Sequence, residues 1–258
     1  MVLAISPPEL PLSTSQSSHA LKQGENKQGE NKENKKENKK GENRVALKGI
    51  NWLAYQQILN ALPQSRAARL TYDRGILEIT MPLETHEYSR ELIGLFIRIF
   101  SLEMGLKLKS MRSTTINRPD LARGVEPDCA FYIQNQPKVA GKIVDFMQDP
   151  PPDLVVEVDI NHTDIDKNNL YASLGVPELW RFNGEELKIY VLPKTESAIE
   201  LASESESPYL EYIECDRSPT FPLFQKEQLY NFLVKAEQDE NAAEIEFRAM
   251  VKEILSQK

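Results

Sequence analysis

The amino-acid sequence predicts one globular domain of the α/β (α+β) class, built on a central mixed sheet with helices on its faces. Apolar residues recur at helical intervals in several segments, and between these segments they form short β-rich runs. Turn residues separate the two kinds of segment. Because the elements run helix, hairpin, helix, strands, helix, strands and helices, a sheet covered by helices is the natural packing. The length of 258 residues allows a full-sized core.

The N-terminal region is predicted to be a disordered tail over residues 1–46. Lys22–Asn43 is a low-complexity tract of Lys, Glu, Asn, Gln and Gly with no apolar residue to anchor a fold. A basic arm that tethers DNA and a solvated linker without a specific function are both open. The glutamates interleaved through the tract favour the linker.

The globular domain is predicted over residues 47–235, followed by a C-terminal helix over 236–258. Pro63 and Pro82 end the first helix and the second strand, since proline cannot continue either element. Asp73-Arg74-Gly75 is a short turn between two strands. The predicted elements of the first half are helix Trp52–Leu62, strands Arg69–Tyr72 and Ile76–Met81, helix Glu84–Met104, strands Leu106–Met111 and Ser113–Ile116, and the polar loop Asn117–Gly124.

The second half is predicted to carry the central strands. Leu154-Val155-Val156 is β-rich and follows a proline-rich segment, and Gly175 is a good helix C-terminal signal. Asn183-Gly184 is a typical hairpin turn. The predicted elements are strands Asp128–Ile133 and Leu154–Ile160, helix Asp164–Leu174, strands Glu178–Phe182 and Leu187–Leu192, the exposed loop Glu196–Ser207, strand Tyr209–Cys215, and helices Lys226–Lys235 and Glu240–Leu255.

The charge, the lengths of the apolar runs and the cysteine content restrict the functions that the protein can have. The net charge of −8 argues against strong non-specific DNA binding, although a local basic groove can coexist with it. No apolar run approaches the ~20 residues of a membrane helix, and there is no signal-peptide pattern, so we predict a cytoplasmic protein without a membrane partner. The two cysteines, Cys129 and Cys215, form no zinc motif, and we expect no disulfide.

The candidate site combines two acids with a lysine. Glu157 interrupts an apolar strand, Asp128 begins the strand before it, and Lys167 follows Glu157 by ten residues. Two carboxylates beside a cation can hold a divalent metal, and that set suits phosphodiester hydrolysis. The alternative is a strand end, where Glu157 and Asp159 simply reach solvent.

Several blocks together resemble one known family. The blocks are Met81-Pro82-Leu83-Glu84-Thr85-His86-Glu87, Arg112-Ser113-Thr114-Thr115, Gly124-Val125-Glu126-Pro127-Asp128, Asp153-Leu154-Val155-Val156-Glu157-Val158, and Lys167 with Tyr171-Ala172 and Gly175-Val176-Pro177-Glu178-Leu179-Trp180. From about Leu47 to Leu255 the chain resembles the Uma-two family of bacterial proteins, which is restriction-endonuclease-like and belongs to the PD-(D/E)xK superfamily.

The resemblance implies a restriction-endonuclease-like αβββαβ core and an endonuclease activity that depends on Mg²⁺ or Mn²⁺, with DNA as the substrate. Asp128 and Glu157 would be the metal ligands. The usual lysine position, two residues after the second acid, is occupied here by Asp159, and Lys167 matches the place the lysine takes in this family. Glu87 or Glu84 would be a further ligand or base, and His86 a helper.

Other interpretations remain open for these residues. Glu84 and Glu87 lie in the first turn of a helix, where acids are favoured by the dipole. His86 could be a packing group, and Lys167 could pair only with Asp164 or Glu157. The whole protein could be a catalytically inactive nuclease-fold module that binds nucleic acid or protein. The last helix could form a homodimer face, or it could pack on its own sheet.

Overall fold

The computed structural model describes residues 41–63, 65–193 and 211–257. The predicted tail up to residue 40 and the predicted loop Glu196–Ser207 lie outside these ranges. In chain order, the described elements are β1 (Glu42–Lys48), α1 (Trp52–Ala61), β2 (Arg69–Asp73), β3 (Ile76–Pro82), α2 (Glu84–Glu103), β4 (Lys109–Ser110), β5 (Ile116–Arg118), a 3-10 turn (Pro119–Leu121), β6 (Arg123–Val125), β7 (Cys129–Tyr132), α3 (Gln136–Val139), β8 (Leu154–Val158), α4 (Lys167–Ser173), β9 (Glu178–Phe182), β10 (Leu187–Val191), β11 (Ile213–Cys215), α5 (Lys226–Ala236) and α6 (Glu240–Ser256).

The strands divide between two sheets. The five-stranded sheet has the order β1-β3-β2-β6-β5 and is antiparallel throughout. The six-stranded sheet has the order β11-β10-β9-β8-β7-β4, and only its β8–β9 pair is parallel. Parallel neighbours need a crossover connection, and α4 supplies it. The series α2, β4, β7, β8, α4 and β9 is therefore the expected αβββαβ core, with β5 and β6 inserted and paired in the other sheet.

The six-stranded sheet is covered on both faces. On one face α2, α5 and α6 bury a large apolar cluster that includes Val156, Trp180, Phe96 and Phe247. The rings of Phe96 and Phe247 stack with centroids 4.2 Å apart, which fixes α6 against α2. On the other face, Val155 packs with α4 and with apolar residues of the five-stranded sheet. The predicted mixed α+β class with a C-terminal helical extension is confirmed.

Helix α4 brings its first residue to the sheet through local capping. The side chain of Asp166 accepts a hydrogen bond from the Asn169 amide at 3.0 Å, which satisfies one of the free amides of the first turn. Gly175, with φ of 74°, follows the C-terminal end of the helix in the left-handed conformation that glycine tolerates best. The Asp166 cap therefore marks the start of α4 at Lys167, and Gly175 marks its end.

The structure differs from the predicted elements at β1, at the loop before β6 and at α3. Residues 42–46, predicted to belong to the disordered tail, lie in β1, which pairs along its full length with β3. The predicted polar loop Asn117–Gly124 contains the end of β5 and the start of β6. α3 was not predicted at all. The edge position of β1 explains why its sequence does not resemble that of a buried strand. One side of β1 has no strand partner in the described ranges, and its sequence carries few apolar residues.

The C-terminal helix packs on its own chain. Ala243, Phe247 and Val251 are buried, whereas Ile245 is 69% exposed. A homodimer through this helix stays a prediction, and it would have to use the outer face. No helix within the described ranges is both long enough and apolar enough to cross a membrane.

Candidate active site

Asp128 and Glu157 lie opposite each other on neighbouring strands. β7 and β8 are antiparallel with Cys129 opposite Val156, so the residues one step outward, Asp128 and Glu157, face each other on one side of the sheet. Their exposures are only 3% and 2%. The Val158 amide donates to Oδ2 of Asp128 at 2.7 Å, which fixes that carboxylate against the end of β8.

Lys167 and Tyr171 hold the carboxylate of Glu157 from the helix side. Nζ of Lys167 donates to Oε2 of Glu157 at 2.6 Å and to Oδ1 of Asp159 at 2.7 Å. Tyr171 lies four residues later, hence on the same helix face, and its hydroxyl donates to Oε1 of Glu157. Burial opposes the charge of Lys167, but Asp159 and Glu157 outweigh it and raise the lysine pKa. Lys167 is therefore protonated at neutral pH.

Asp159 is surrounded by three cationic side chains. Besides Lys167, it binds Arg181 of β9 at 3.1 Å and Arg44 of β1 at 2.7 Å. Burial alone would raise the pKa of Asp159, but these three cations hold it well below its ordinary range. The alternative in which Glu157 and Asp159 simply reach solvent is therefore wrong, since the side chain of Asp159 is only 6% exposed.

Arg44 connects the five-stranded sheet to this cluster. Its guanidinium also donates to Glu42 at 2.8 Å and to Glu78 at 2.6 Å. Thr163, in the segment between β8 and α4, donates to Glu78 at 2.9 Å. These contacts tie the segment that precedes Lys167 to the neighbouring sheet. We therefore expect them to set the position of Lys167 as well.

His86 and Arg69 contact Asp128 from its other side. His86 lies in the first turn of α2, with Nε2 3.3 Å from Oδ2 of Asp128. Burial, followed by the positive charges of Arg69, Lys167 and Arg44, lowers the pKa of His86 to about 3, so the imidazole is neutral. Arg69 of β2 forms an ion pair with Oδ1 of Asp128 and donates to Glu87 at 2.6 Å. Burial lowers the pKa of Arg69, and Glu87 opposes this effect.

The structure thus brings five predicted residues into one cluster: Asp128, Glu157, Lys167, His86 and Glu87. Glu87 belongs to it through Arg69 and through His86, whose Nδ1 lies 3.9 Å from Oε1 of Glu87, and it also accepts from Arg90 at 3.0 Å. Glu84 is exposed, and its side chain makes no hydrogen bond or ion pair within the described ranges. Glu87 is therefore the one of these two acids that contacts the cluster, and a role as ligand or base stays a prediction.

A cavity of about 440 Å³ lies beside the cluster, with Arg69 and Glu87 among its lining residues. Arg69 also contacts Asp128 and so links the cavity wall to this carboxylate. Arg66 and Glu126 line the cavity as well and are joined by an ion pair. Glu126 also accepts from the Leu70 amide at 2.9 Å and from Thr115 at 2.7 Å. The first acid of the Glu126-Pro127-Asp128 block therefore ties three segments together.

The facing carboxylates form a sparse donor set for Mg²⁺. Within the described ranges no group of three or more His, Cys, Asp and Glu residues could hold a metal ion. Two facing carboxylates are nevertheless enough, because Mg²⁺ keeps several waters and is often bound by one or two carboxylates together with substrate phosphates. Each carboxylate offers about four lone-pair positions, and the contacts of Asp128 and Glu157 leave part of these free. The two carboxylates therefore match the kind and number of protein ligands that Mg²⁺ commonly has, and no more.

Comparison with known proteins identifies the family. The sequence profile of the Uma2 (Uma-two) family, described as "Putative restriction endonuclease", matches residues 54–214. The chain belongs to the Uma2 family. A "putative nuclease belonging to DUF820" from Anabaena variabilis, known from a crystal structure, is similar over 71% of this chain and 99% of its own. It has 16% sequence identity and a TM-score of 0.45. No curated protein matches the chain.

Sequence reasoning missed the arginines of this Uma2 site. Arg44, Arg69 and Arg181 come from three different strands, and each reaches the acids only through the tertiary fold. Tyr171 could have been found, because it is four residues from Lys167 and follows it on the same helix face. No local signal marks Arg44, which lies next to the low-complexity tract.

Proposed function

We propose that this Uma2 protein is a cytoplasmic, Mg²⁺-dependent endonuclease that hydrolyses phosphodiester bonds, with DNA as its substrate. The observation that carries the proposal is the facing pair Asp128 and Glu157, with Lys167 donating to Glu157 at 2.6 Å. Hard oxygen ligands beside a fixed ammonium suit a reaction in which negative charge develops on a phosphate. Membership of a family described as a restriction endonuclease supports the same reaction.

Asp128 and Glu157 would hold the metal ion. Bound there, Mg²⁺ or Mn²⁺ supplies Lewis acidity and a water of lowered pKa. The surrounding residues orient the two carboxylates. Tyr171 and Lys167 fix the two oxygens of Glu157, while the Val158 amide fixes Asp128.

Lys167 is the proposed catalytic cation. Because its pKa is raised, its ammonium stays charged beside the scissile phosphate and stabilises developing charge. His86 has a different role in this proposal. It is neutral, so one ring nitrogen can donate to Asp128, and its burial keeps it from exchanging protons with solvent near neutral pH. His86 is therefore a positioning residue for Asp128.

A second candidate function is an inactive nuclease-fold module that binds nucleic acid or protein. The observation that favours it is that other protein groups already contact the carboxylate oxygens of Asp128 and Glu157. Arg69 covers Oδ1 of Asp128, and both oxygens of Glu157 accept hydrogen bonds. A metal ion at Asp128 would have to share this carboxylate with Arg69, whereas a binding module could keep this arrangement unchanged.

Cleavage of supercoiled plasmid and of single-stranded DNA, with Mg²⁺ or Mn²⁺ and with EDTA, tests the proposal. The variant is the double substitution Glu157→Gln with Lys167→Met, which removes a buried charge pair together and so leaves neither partner uncompensated. Glu185→Gln, at an exposed turn, is the matched control. We expect metal-dependent cleavage that disappears in the double variant and persists in the control. Absence of cleavage by the folded wild-type protein would support the binding module.

A further inference from the structure

A second cavity, of about 490 Å³, runs along α2 away from the candidate site. Its walls come from α2, from the segment around β4 and from α6. Helix α6 lies outside residues 54–214, so this cavity uses a part of the chain beyond the family match. We call it the α2 groove.

The α2 groove is basic in a protein of net charge −8. Four arginines and only two acids line it: Arg90, Arg98, Arg112 and Arg248, with Glu91 and Glu244. Arg90 and Arg248 are engaged with glutamates. Arg98 and Arg112 are exposed, and they form no ion pair or hydrogen bond with any residue that the structure describes. Two guanidinium groups are thus available to an anionic ligand.

The wall between the arginines is apolar. It is formed by Leu95, Leu102, Leu106 and Leu108. Ser101 also lines the groove, and its buried hydroxyl has no hydrogen-bond partner in the described ranges. Buried polar atoms normally have a partner, so this hydroxyl is an unused polar group next to the groove. A ligand suited to this groove carries negative charge, an apolar face and polar edges.

The α2 groove adjoins the cavity of the candidate active site at two points. Arg112 lines the groove and the next residue, Ser113, lines the active-site cavity. Arg90 lines the groove and also holds Glu87, which lines the active-site cavity. The lining residues of the two cavities are therefore neighbours, both along the chain and through the Arg90–Glu87 pair.

We propose that the α2 groove binds single-stranded nucleic acid flanking the scissile phosphate, through Arg98 and Arg112. An unpaired nucleotide offers both a phosphate for a guanidinium and an exposed base for an apolar wall. A duplex keeps its bases stacked and would present only phosphates to the leucines. The proposal deepens the proposed function, on which it rests for the identity of the substrate.

Fluorescence anisotropy with labelled oligothymidylate, in EDTA and over a series of salt concentrations, tests this binding without cleavage. The variants are Arg98→Gln and Arg112→Gln, singly and together. The matched control is Arg217→Gln, an exposed arginine just beyond β11, at the opposite edge of the six-stranded sheet from β4. We expect each groove variant to bind more weakly. The salt slope, which is the slope of the logarithm of the binding constant against the logarithm of the salt concentration, should be smaller in magnitude by about 0.7 for each phosphate that an arginine no longer neutralises. The control should match wild type.

Three results would overturn the inference. The first is tighter binding of a duplex than of a single strand of equal length by the wild-type protein. The second is a double groove variant with the affinity and salt slope of wild type, and the third is an equal weakening in Arg217→Gln. The proposed function is tested separately by cleavage in Mg²⁺. Salt-dependent binding through Arg98 and Arg112 by a protein that cuts nothing would refute the nuclease and leave the groove assignment standing.

Discussion

The Nζ atom of Lys167, at the start of α4, lies 2.6 Å from Oε2 of Glu157, in the middle of the sheet. The two side chains are both almost fully buried, and Lys167 bonds Asp159 as well. A buried ion pair is costly to break from one side only, because the remaining charge loses its partner. The lysine therefore has a structural role as well as its proposed catalytic one.

The first prediction concerns stability. We expect Lys167→Met to lower the free energy of unfolding by about 3–5 kcal/mol, since it leaves Glu157 without a cation in a buried site. Urea unfolding at neutral pH measures this change. Lys235→Met is the matched control, because Lys235 pairs with Glu246 on the surface and such pairs contribute about 1 kcal/mol or less. Equal losses in the two variants would contradict the structural role of Lys167.

The second prediction concerns the stability of the folded protein at acidic pH. His86 has a pKa of about 3 in the folded protein against an ordinary value of 6.5. Between these values the unfolded chain binds a proton at His86 that the folded chain does not, so stability falls as pH falls. The expected slope from this residue is about 1.4 kcal/mol per pH unit. Above about pH 5 the depressed pKa of Asp159 adds little, because aspartates are ionised in both states.

His86→Gln should therefore reduce the pH dependence of unfolding between about pH 6.5 and 4 by this amount. Chemical unfolding at several pH values gives the slope directly. His162→Gln serves as the control because His162 is exposed. If the slope is unchanged in His86→Gln, the imidazole is not held neutral in the folded protein.

The third prediction concerns Arg69 and the metal. Arg69 pairs with Oδ1 of Asp128, where a bound ion would also lie. Its removal should strengthen Mn²⁺ binding roughly tenfold, or about 1.4 kcal/mol, because no guanidinium then competes with the ion for this oxygen. Calorimetric titration of Arg69→Gln with Mn²⁺ measures this. Arg118→Gln, which removes an exposed pair with Asp120, should leave the affinity unchanged. Weaker binding in Arg69→Gln would show that Asp128 is not a ligand as proposed.

The fourth prediction separates the two faces of the C-terminal helix. Phe247 stacks on Phe96 and is buried, so Phe247→Ala should cost about 3–5 kcal/mol of stability. Ile245 is exposed on the same helix, and Ile245→Ala should change stability by no more than about 0.5 kcal/mol. Thermal or urea unfolding compares them. Sedimentation of both variants also tests the possible homodimer, because a dimer through the outer face would be weakened by Ile245→Ala alone.

Strong local patterns made most of the fold predictable. The runs around Leu154 and Glu178 and the helix from Glu84 have clear periodicities, and their bounds agree with the structure within a few residues. β1 was missed because its apolar residues are few and it adjoins a low-complexity tract. The division into two sheets could not be predicted either, since strand pairing such as β2 with β6 joins residues that are distant in sequence.

The candidate site was predictable only in its acids and its lysine. Asp128, Glu157 and Lys167 stand in recognisable blocks, and the structure places them together. Their partners could not be inferred, because Arg44, Arg69 and Arg181 enter from strands of both sheets. One interpretation of the sequence places Asp159 at a strand end that faces solvent. In the structure its buried carboxylate is stabilised by ion pairs with Arg44, Lys167 and Arg181. Tertiary ion pairing of this kind leaves no periodic trace in the sequence.

The edge strand β1 enlarges the folding unit beyond the family-matched span. The family match begins at residue 54, yet the strand that supplies Arg44 ends at Lys48. A chain trimmed to residues 54–214 would leave Glu78 and Asp159 without this guanidinium and would uncover the α2 face on which α6 packs. β1 and α6 are thus parts of the same folding unit as the elements they contact, and expressing only the family-matched span should yield a less stable protein.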